Sequence, residues 1–139
     1  MDPLLSSMKI AGSGLEAQSL RLRVVSENLA NIESTGKAAG SDPYRRKSVS
    51  FSNELDRLSG TSLVKADEVR SAQATFRLEF RPGHPAADAA GYVKLPDVNM
   101  IVEMADLRQA NRSYEANLQV IRQAREMISM TIDLLRSQG

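Results

Sequence analysis

Residues 99–136 read NMIVEMADLRQANRSYEANLQVIRQAREMISMTIDLLR, and no proline or glycine interrupts them. One row of mostly apolar residues advances by alternating steps of four and three, which is the heptad spacing of a helix that packs along a partner helix. The row comprises Met100, Met104, Leu107, Asn111, Tyr114, Leu118, Ile121, Arg125, Ile128, Ile132 and Leu135. At about 1.5 Å per residue the predicted helix is on the order of 55 Å long. A helix of that length needs a partner along its whole length.

The same helix carries a second apolar row, offset by two residues from the first and therefore expected roughly 200° around the helix axis. Its members are Ala116, Val120, Met127, Met130 and Leu134, with Gln123 in the gap. One row can pack on another helix of the chain, whereas the other stays exposed, and exposed apolar surface marks interaction sites. The alternative is a helix buried on all sides in its own core. The rest of the chain is too small to cover both rows, so contacts between subunits are favoured.

The N-terminal residues repeat the three–four alternation. The row comprises Met1, Leu4, Met8, Ala11, Leu15, Gln18, Leu22, Val25, Leu29 and Ile32. A helix is predicted from Pro3, which suits a first turn, to Ile32. Gly12 and Gly14 each cost about 1 kcal/mol relative to alanine, and they indicate either a weak point or close packing of backbones. The polar members Gln18, Asn111 and Arg125 are expected to fix the register of the helices.

The residues between the helices predict a small β section. Residues 35–43 form a loop, and Pro96-Asp97-Val98-Asn99 starts the C-terminal helix with Asp97 or Asn99 as its cap. In Phe76–Phe80, apolar and charged residues alternate, which predicts a half-buried strand. The other predicted elements are an extended segment at Tyr44–Phe51, a short helical turn at Asn53–Leu58, and strands at Leu63–Val69 and Tyr92–Leu95.

These elements predict a mainly α protein with a small β section. The long N- and C-terminal helices pair as an antiparallel or subunit-sharing coiled coil, with a short β-hairpin domain between them. Residues 1–33 and 97–137 are expected to form the helical core, and residues 34–96 the loop and small β domain.

Composition excludes several classes of function. The chain of 139 residues has a net charge of +1, no cysteine and one histidine, so thiol catalysis, disulfides and multi-histidine metal sites are excluded. His84 lies between two prolines with no acid or nucleophile near it in sequence. We therefore expect no enzyme activity, no catalytic residue, no cofactor and no metal. No run approaches the ~20 apolar residues of a membrane span, and no cleaved secretory signal is recognisable at the N-terminus.

Three adjacent basic residues, Arg45, Arg46 and Lys47, could contact phosphate groups. The patch stands alone in a chain of balanced charge, so the charged edge of a strand is the favoured interpretation. Nucleic-acid binding is not expected.

Five motifs in this order resemble those of bacterial flagellar rod and hook proteins. They are Val24–Asn31 (VVSENLAN), Pro43–Lys47 (PYRRK), Pro82–Asp88 (PGHPAAD), Gly91–Asn99 (GYVKLPDVN) and Arg112–Leu118 (RSYEANL). The third and fourth resemble one branch in particular, the proximal rod protein family FlgC. Distal rod and hook members usually turn through Thr-Pro-Gly into the tyrosine strand, whereas this chain has a longer loop at residues 32–42, as in the proximal branch.

The resemblance implies a structural subunit of the proximal rod, which polymerises helically through its terminal helices into the periplasmic drive shaft of the flagellum. It also implies export by the flagellar type III apparatus without a cleaved signal. The implied partners are copies of the chain, proximal and distal rod subunits and the rod-base protein. The alternative function is a soluble coiled-coil adaptor or chaperone that binds one partner helix.

The expected assembly interface draws on both helices and on the tyrosine motif. Its residues are Leu15, Leu22, Val25, Asn28, Leu29, Asn31, Tyr44, Arg45, Leu107, Asn111, Ser113, Tyr114, Asn117, Leu118, Val120, Ile121, Met127, Met130 and Leu134. Asn28 and Asn31 are expected to cap or cross-link the end of the first helix.

Overall fold

The computed structural model describes residues 2–73 and 75–139 and places short antiparallel strands between two long helices. The elements are α1 (Pro3–Ala30), β1 (Lys47–Ser48), β2 (Phe51–Asp56), β3 (Thr61–Ala66), β4 (Arg70–Ser71), β5 (Phe76–Phe80), β6 (Tyr92–Pro96) and α2 (Met100–Ser137). The predicted fold class is confirmed. Met1, the first member of the predicted N-terminal row, lies outside the described residues.

Side-chain caps set the ends of both helices. The Oδ1 atom of Asp2 accepts a hydrogen bond from the backbone N–H of Leu4 at 2.9 Å, which caps α1. Asn99 caps α2, because its Oδ1 atom accepts from the N–H of Ile101 at 3.0 Å. Of the two predicted caps, Asn99 and not Asp97 makes this bond. Helix α1 ends at Ala30, two residues before the predicted end.

The strands pair as three antiparallel two-stranded ladders, β1 with β4, β2 with β3 and β5 with β6. The prediction of a helical turn at Asn53–Leu58 is wrong, because most of that segment belongs to strand β2. Its residues pair with β3 in the register Phe51↔Ala66 to Asp56↔Thr61. Gly60, with a φ of 69°, ends the turn between the two strands and donates its N–H to the carbonyl of Asp56 at 2.7 Å.

Strand β5 is placed as predicted, but its apolar face is not buried. The side chains of Leu78 and Phe80 are 63% and 61% exposed, whereas Val93 and Leu95 of β6 are fully buried. Directly paired residues share a face of a ladder, and Val93 and Leu95 pair with charged residues of β5. The buried face of this hairpin is therefore the one that β6 supplies. Alternation predicted the two faces of β5 but not which of them points inward.

The described chain forms two compact units, and each helix contributes to both. The first unit contains the chain up to Leu20, Ser50–Asp67 and Gln109–Gly139; the second contains Arg21–Val49 and Glu68–Arg108. In the second unit the helices run antiparallel, because Arg21 forms an ion pair with Asp106 while Asn28 bonds Glu103.

In the first unit the line of α2 that is buried differs from the predicted row. Ala110 and Ala124 are buried, and Asn117 contacts Gly14 of α1, whereas Asn111 and Arg125 are exposed. The predicted row is correct where it passes through Tyr114, Leu118, Ile121 and Ile128, which are half-buried. Small residues allow two helix backbones to approach closely, and a pattern search for bulky apolar residues overlooks them. Asn111 and Arg125 are exposed in the subunit, so their role in fixing the register of the helices stays a prediction.

The two helical glycines have different surroundings, so the same substitution at each should change the stability of the chain in opposite directions. A Cβ atom at Gly14 would lie 2.7 Å from the Nδ2 atom of Asn117, whereas one at Gly12 would meet nothing within 4 Å. We expect Gly14→Leu to lower the free energy of unfolding by about 2 kcal/mol through overpacking. Gly12→Leu should raise it by about 0.5 kcal/mol, because leucine favours the helix. Urea denaturation followed by circular dichroism measures both, and equal effects would contradict the close packing.

Candidate functional site

A buried asparagine joins three elements of the second unit. Asn28, near the end of α1, is 1% exposed. Its Nδ2 group donates to the carbonyl of Lys47 at 2.9 Å and to Oε2 of Glu103 at 3.3 Å. Its Oδ1 atom accepts from the N–H of Lys47 at 2.9 Å and from the hydroxyl of Tyr44 at 2.7 Å. The amide thereby uses its full hydrogen-bonding capacity and ties α1 to β1 and to α2.

The carboxylate of Glu103 is the buried charge of this cluster, and its exposed fraction is zero. It forms an ion pair with Nε of Arg46 and accepts the bond from Asn28. A carboxylate without such partners would be costly to bury. We call Asn28, Tyr44, Arg46, Lys47 and Glu103 the Asn28 junction.

The surroundings of Tyr44 favour the protonated phenol, which is the form that donates to Asn28. Burial raises the pKa of the Tyr44 hydroxyl above its ordinary 10.0, and the carboxylates of Glu27 and Glu103 raise it further. The hydroxyl therefore stays protonated through the neutral range. The Nζ atom of Lys47 lies 5.8 Å from the centre of the Tyr44 ring and 3.1 Å from Oε2 of Glu27.

The three adjacent basic residues each pair with a carboxylate of the same chain. Arg46 forms an ion pair with Glu103, and Lys47 forms one with Glu27. Arg45 is exposed, and its Nη2 atom lies 3.4 Å from Oδ2 of Asp42. These pairings leave no cluster of unpaired cations at this position for phosphate groups. They favour the predicted charged strand edge over nucleic-acid binding.

Two residues of the Asn28 junction are among those predicted from the sequence. The sequence predicts that Asn28 caps or cross-links the end of the first helix and that Tyr44 belongs to the assembly interface; the structure joins the two side chains by a hydrogen bond. Arg46 and Glu103 were not among the predicted site residues. Glu103 lies one turn before Leu107 on the buried side of α2. An acidic residue on a side of the helix that is otherwise buried was the signal in the sequence that could have identified it. Asn31 donates its Nδ2 group to the carbonyl of Glu27 at 2.8 Å and so caps the end of α1.

The other predicted interface residues differ in their exposure. Val25 is buried with Asn28, and Arg45, Asn111, Val120, Met127, Met130 and Leu134 are exposed. The remaining ones are half-buried: Leu15, Leu22, Leu29, Asn31, Tyr44, Leu107, Ser113, Tyr114, Asn117, Leu118 and Ile121.

The second apolar row of α2 lies on the surface of the first unit. We call Ala116, Val120, Met127, Met130 and Leu134 the exposed stripe. The exposed fraction rises along it from 42% at Val120 to 63% at Leu134. Ala116 directly precedes Asn117 of the buried line, so the stripe lies about 100° around the helix from that line, while its offset from the predicted row through Leu118 remains two residues, or roughly 200°. Every residue from Ser129 to Gly139 is exposed.

A groove separates α1 from the β2–β3 hairpin in the first unit and has a volume of about 1000 Å³. Two polar contacts hold the hairpin to the helix. Lys9 forms an ion pair with Asp56, and the hydroxyl of Ser13 accepts from the N–H of Val64 at 3.1 Å.

The carboxylate of Asp56 should report the contact between α1 and the hairpin. Lys9 is the largest cause that lowers the pKa of Asp56 from 3.8 to about 2, followed by the bond from the Ser59 hydroxyl. Because the folded pKa is the lower one, this contact stabilises the unit above about pH 4 and is lost as pH falls towards 2. We expect an NMR titration of Asp56 with a midpoint near 2.

Lys9→Met should move that midpoint up towards 3.8, whereas Lys37→Met, which removes an exposed lysine of the loop, should leave it unchanged. An Asp56 midpoint that is the same in the Lys9→Met variant as in the wild-type chain would contradict the ion pair.

The described residues contain no group of three or more side chains that could hold a metal ion. His84 uses its Nδ1 atom to accept the N–H of Ala86 at 3.0 Å within a turn. Among residues 2–73 and 75–139, no helix has the length and apolar character that crossing a membrane requires.

Comparison with known proteins finds similarity along the whole chain. Residues 8–36 match the family model for flagella basal body rod protein, and residues 89–134 match that for flagellar basal body rod FlgEFG protein C-terminal. The chain is 58% identical over 137 residues to the flagellar basal-body rod protein FlgC of Agrobacterium fabrum strain C58, covering 99% of both chains. FlgC of Escherichia coli O6:H1 is 43% identical over 131 residues, which cover 94% of this chain and 97% of that protein. FlgC of Borreliella burgdorferi is 34% identical over 151 residues, which cover 96% and 98%.

Proposed function

This chain belongs to the FlgC family of flagellar basal-body rod proteins, and from that premise we propose that its terminal helices build the rod by packing against neighbouring subunits. The family is one of structural rod proteins, so the chain is a structural subunit of the flagellar basal body and not an enzyme. The adaptor alternative is not favoured, because relatives that match over nearly their full length carry the name of a rod protein.

The exposed stripe is the observation that carries the proposed mode of assembly. A single subunit leaves Met127, Met130 and Leu134 about half exposed or more, and contiguous exposed apolar surface marks an interaction site. A stripe on one surface that packs on a different surface of the next subunit adds copies head to tail, which produces a ring or a helical filament. Residues 1–33 and 97–137 are then the rod-forming helical core, and residues 34–96 the loop and small β section between the helices.

The predicted interface residues divide into two roles in this proposal. The exposed ones, such as Val120 and Leu134, contact neighbours directly. The buried or half-buried ones, such as Asn28 and Tyr114, hold the helices in the geometry that contact requires. Rod rotation loads these contacts in torsion, and slipping by one turn would remove several apolar side chains from their partners at once.

The finer placement also belongs to the proposal. We place the chain in the proximal rod, in the periplasm, beside distal rod subunits and the rod-base protein, after export by the flagellar type III apparatus without a cleaved signal. The motifs at Pro82–Asp88 and Gly91–Asn99 support the proximal branch.

The test is to express this chain in a bacterium whose own FlgC gene is deleted and to purify basal bodies. We expect rods of normal length that contain the chain, and restored swimming. A chain that is absent from basal bodies and recovered in a one-to-one complex with another protein would support the adaptor instead.

A further inference from the structure

The groove between α1 and the β2–β3 hairpin has a mixed lining in which apolar side chains come from both sides. Leu20 lines it from the helix, and Leu55, Leu63 and Val64 line it from the hairpin. Leu55 is 63% exposed, whereas Leu63 and Val64 are half-buried, so the described part of the same chain covers this wall only in part. A hairpin held to its helix mainly by polar contacts at Lys9 and Ser13 leaves room for a further element between them.

The volume of the groove suits a short piece of helix. A helix about 10–12 Å wide that rises 1.5 Å per residue fills 1000 Å³ with roughly six to eight residues, or two turns. The exposed end of α2, the nine residues 129–137, is long enough to supply such a piece. It carries Met130, Leu134 and Leu135, which are 55%, 63% and 68% exposed. Because these residues are exposed, the segment does not occupy the groove of its own subunit.

Both surfaces carry charges that are unpaired within the described part of the chain. Around the groove Lys9 pairs with Asp56 and Lys65 with Glu54. This leaves Glu16 and Arg57 lining the groove without an ion-pair partner among the described residues. The end of α2 carries one acidic and one basic residue that are also unpaired there, Asp133 and Arg136. Each surface thus presents one charge of each sign, and such charges select partner and register more than they add affinity.

We infer that the groove between α1 and the β2–β3 hairpin binds residues 129–137 of α2 from a second copy of this chain. The inference rests on the proposed function and adds the receiving surface to it. One subunit then offers its helix end while the next offers its groove, so the contact joins two different surfaces and repeats along an assembly.

Cysteine cross-linking in basal bodies tests the contact, because the chain has no cysteine of its own. The first variant combines Leu134→Cys with Leu55→Cys in the groove, and the control combines Leu134→Cys with Leu78→Cys on β5. Leu55 and Leu78 are both 63% exposed, so accessibility is matched. After oxidation we expect a ladder of covalent multimers in the first variant and at least tenfold less in the control. Equal ladders, or none in the first variant, would overturn the inference.

A charge exchange gives a second test that does not depend on cross-linking. Arg57→Asp and Asp133→Arg should each lower the number of complete rods at least fivefold, and the two together should restore it. Arg70→Asp, at an exposed arginine of β4, should have no effect. Single changes without effect, or a pair that fails to restore assembly, would overturn the proposed contact.

The proposed function and the groove contact predict different outcomes in basal bodies. If the proposed function is wrong, the wild-type chain itself is absent from basal bodies. If only this inference is wrong, the wild-type chain is present in rods, but the groove cross-links to another segment or to another protein, which mass spectrometry of the product identifies.

Discussion

Met127→Glu and Leu134→Glu are expected to abolish rod assembly while leaving the subunit folded. In the subunit these side chains are 49% and 63% exposed, and a surface substitution of this kind changes stability by about 0.5 kcal/mol or less. Once a neighbouring subunit covers the exposed stripe, the new carboxylate loses its water without gaining a partner. That costs several kcal/mol, and the cost recurs at every contact in the assembly.

Swimming in soft agar, circular dichroism of the purified chain and the rod content of basal bodies measure the three parts of this prediction. Arg122→Glu is the control, because Arg122 is an exposed residue of α2 outside the exposed stripe. It changes the charge by two units, whereas Met127→Glu changes it by one, so a general effect of charge would be larger in the control. Normal rods in the Met127→Glu and Leu134→Glu variants would contradict the proposed interface. Loss of folding would instead place the stripe in the core of the subunit.

Arg46→Met is expected to destabilise the subunit by about 3 kcal/mol, because it leaves the carboxylate of Glu103 buried without its cation. The carboxylate is fully buried and the side chain of Arg46 is 34% exposed, which places the effect at the lower end of the range for such pairs. Folding free energies are commonly about 5–15 kcal/mol, so this loss is a large fraction of the whole.

The adjacent arginine provides the control. Arg45 lies 3.4 Å from Asp42, and both side chains are nearly half exposed, so Arg45→Met should cost less than about 0.5 kcal/mol. Urea denaturation measures both variants. Adding Glu103→Gln to Arg46→Met should recover part of the loss, because a neutral amide is less costly to bury than an unpaired carboxylate. Equal effects of the two arginine changes would show that the charge of Glu103 does not need Arg46.

Much of the fold could be predicted from the sequence, since helix signals are local. The absence of proline and glycine in residues 99–136 and the apolar periodicity predicted α2 to within one residue at each end. Pro3 marked the start of α1. Both depend on contacts between residues three or four apart, which the sequence displays directly.

Other features could not be predicted, because they depend on residues far apart in the chain. Asn53 to Asp56 form a strand only because Thr61 to Val64 pair with them. Leu78 and Phe80 point outward because Val93 and Leu95 supply the buried face of the hairpin.

By itself the sequence determined that two long helices flank a small β section, which family the chain resembles, and that α2 carries more apolar surface than one partner can cover. Only the tertiary structure decided which line of α2 is buried, because close packing at Gly14 and Asn117 depends on the shape of both helices. It also decided that Arg46 and not Arg45 neutralises Glu103. Apolar periodicity is a property of one segment, whereas the burial of a charge depends on the partner that the fold brings to it.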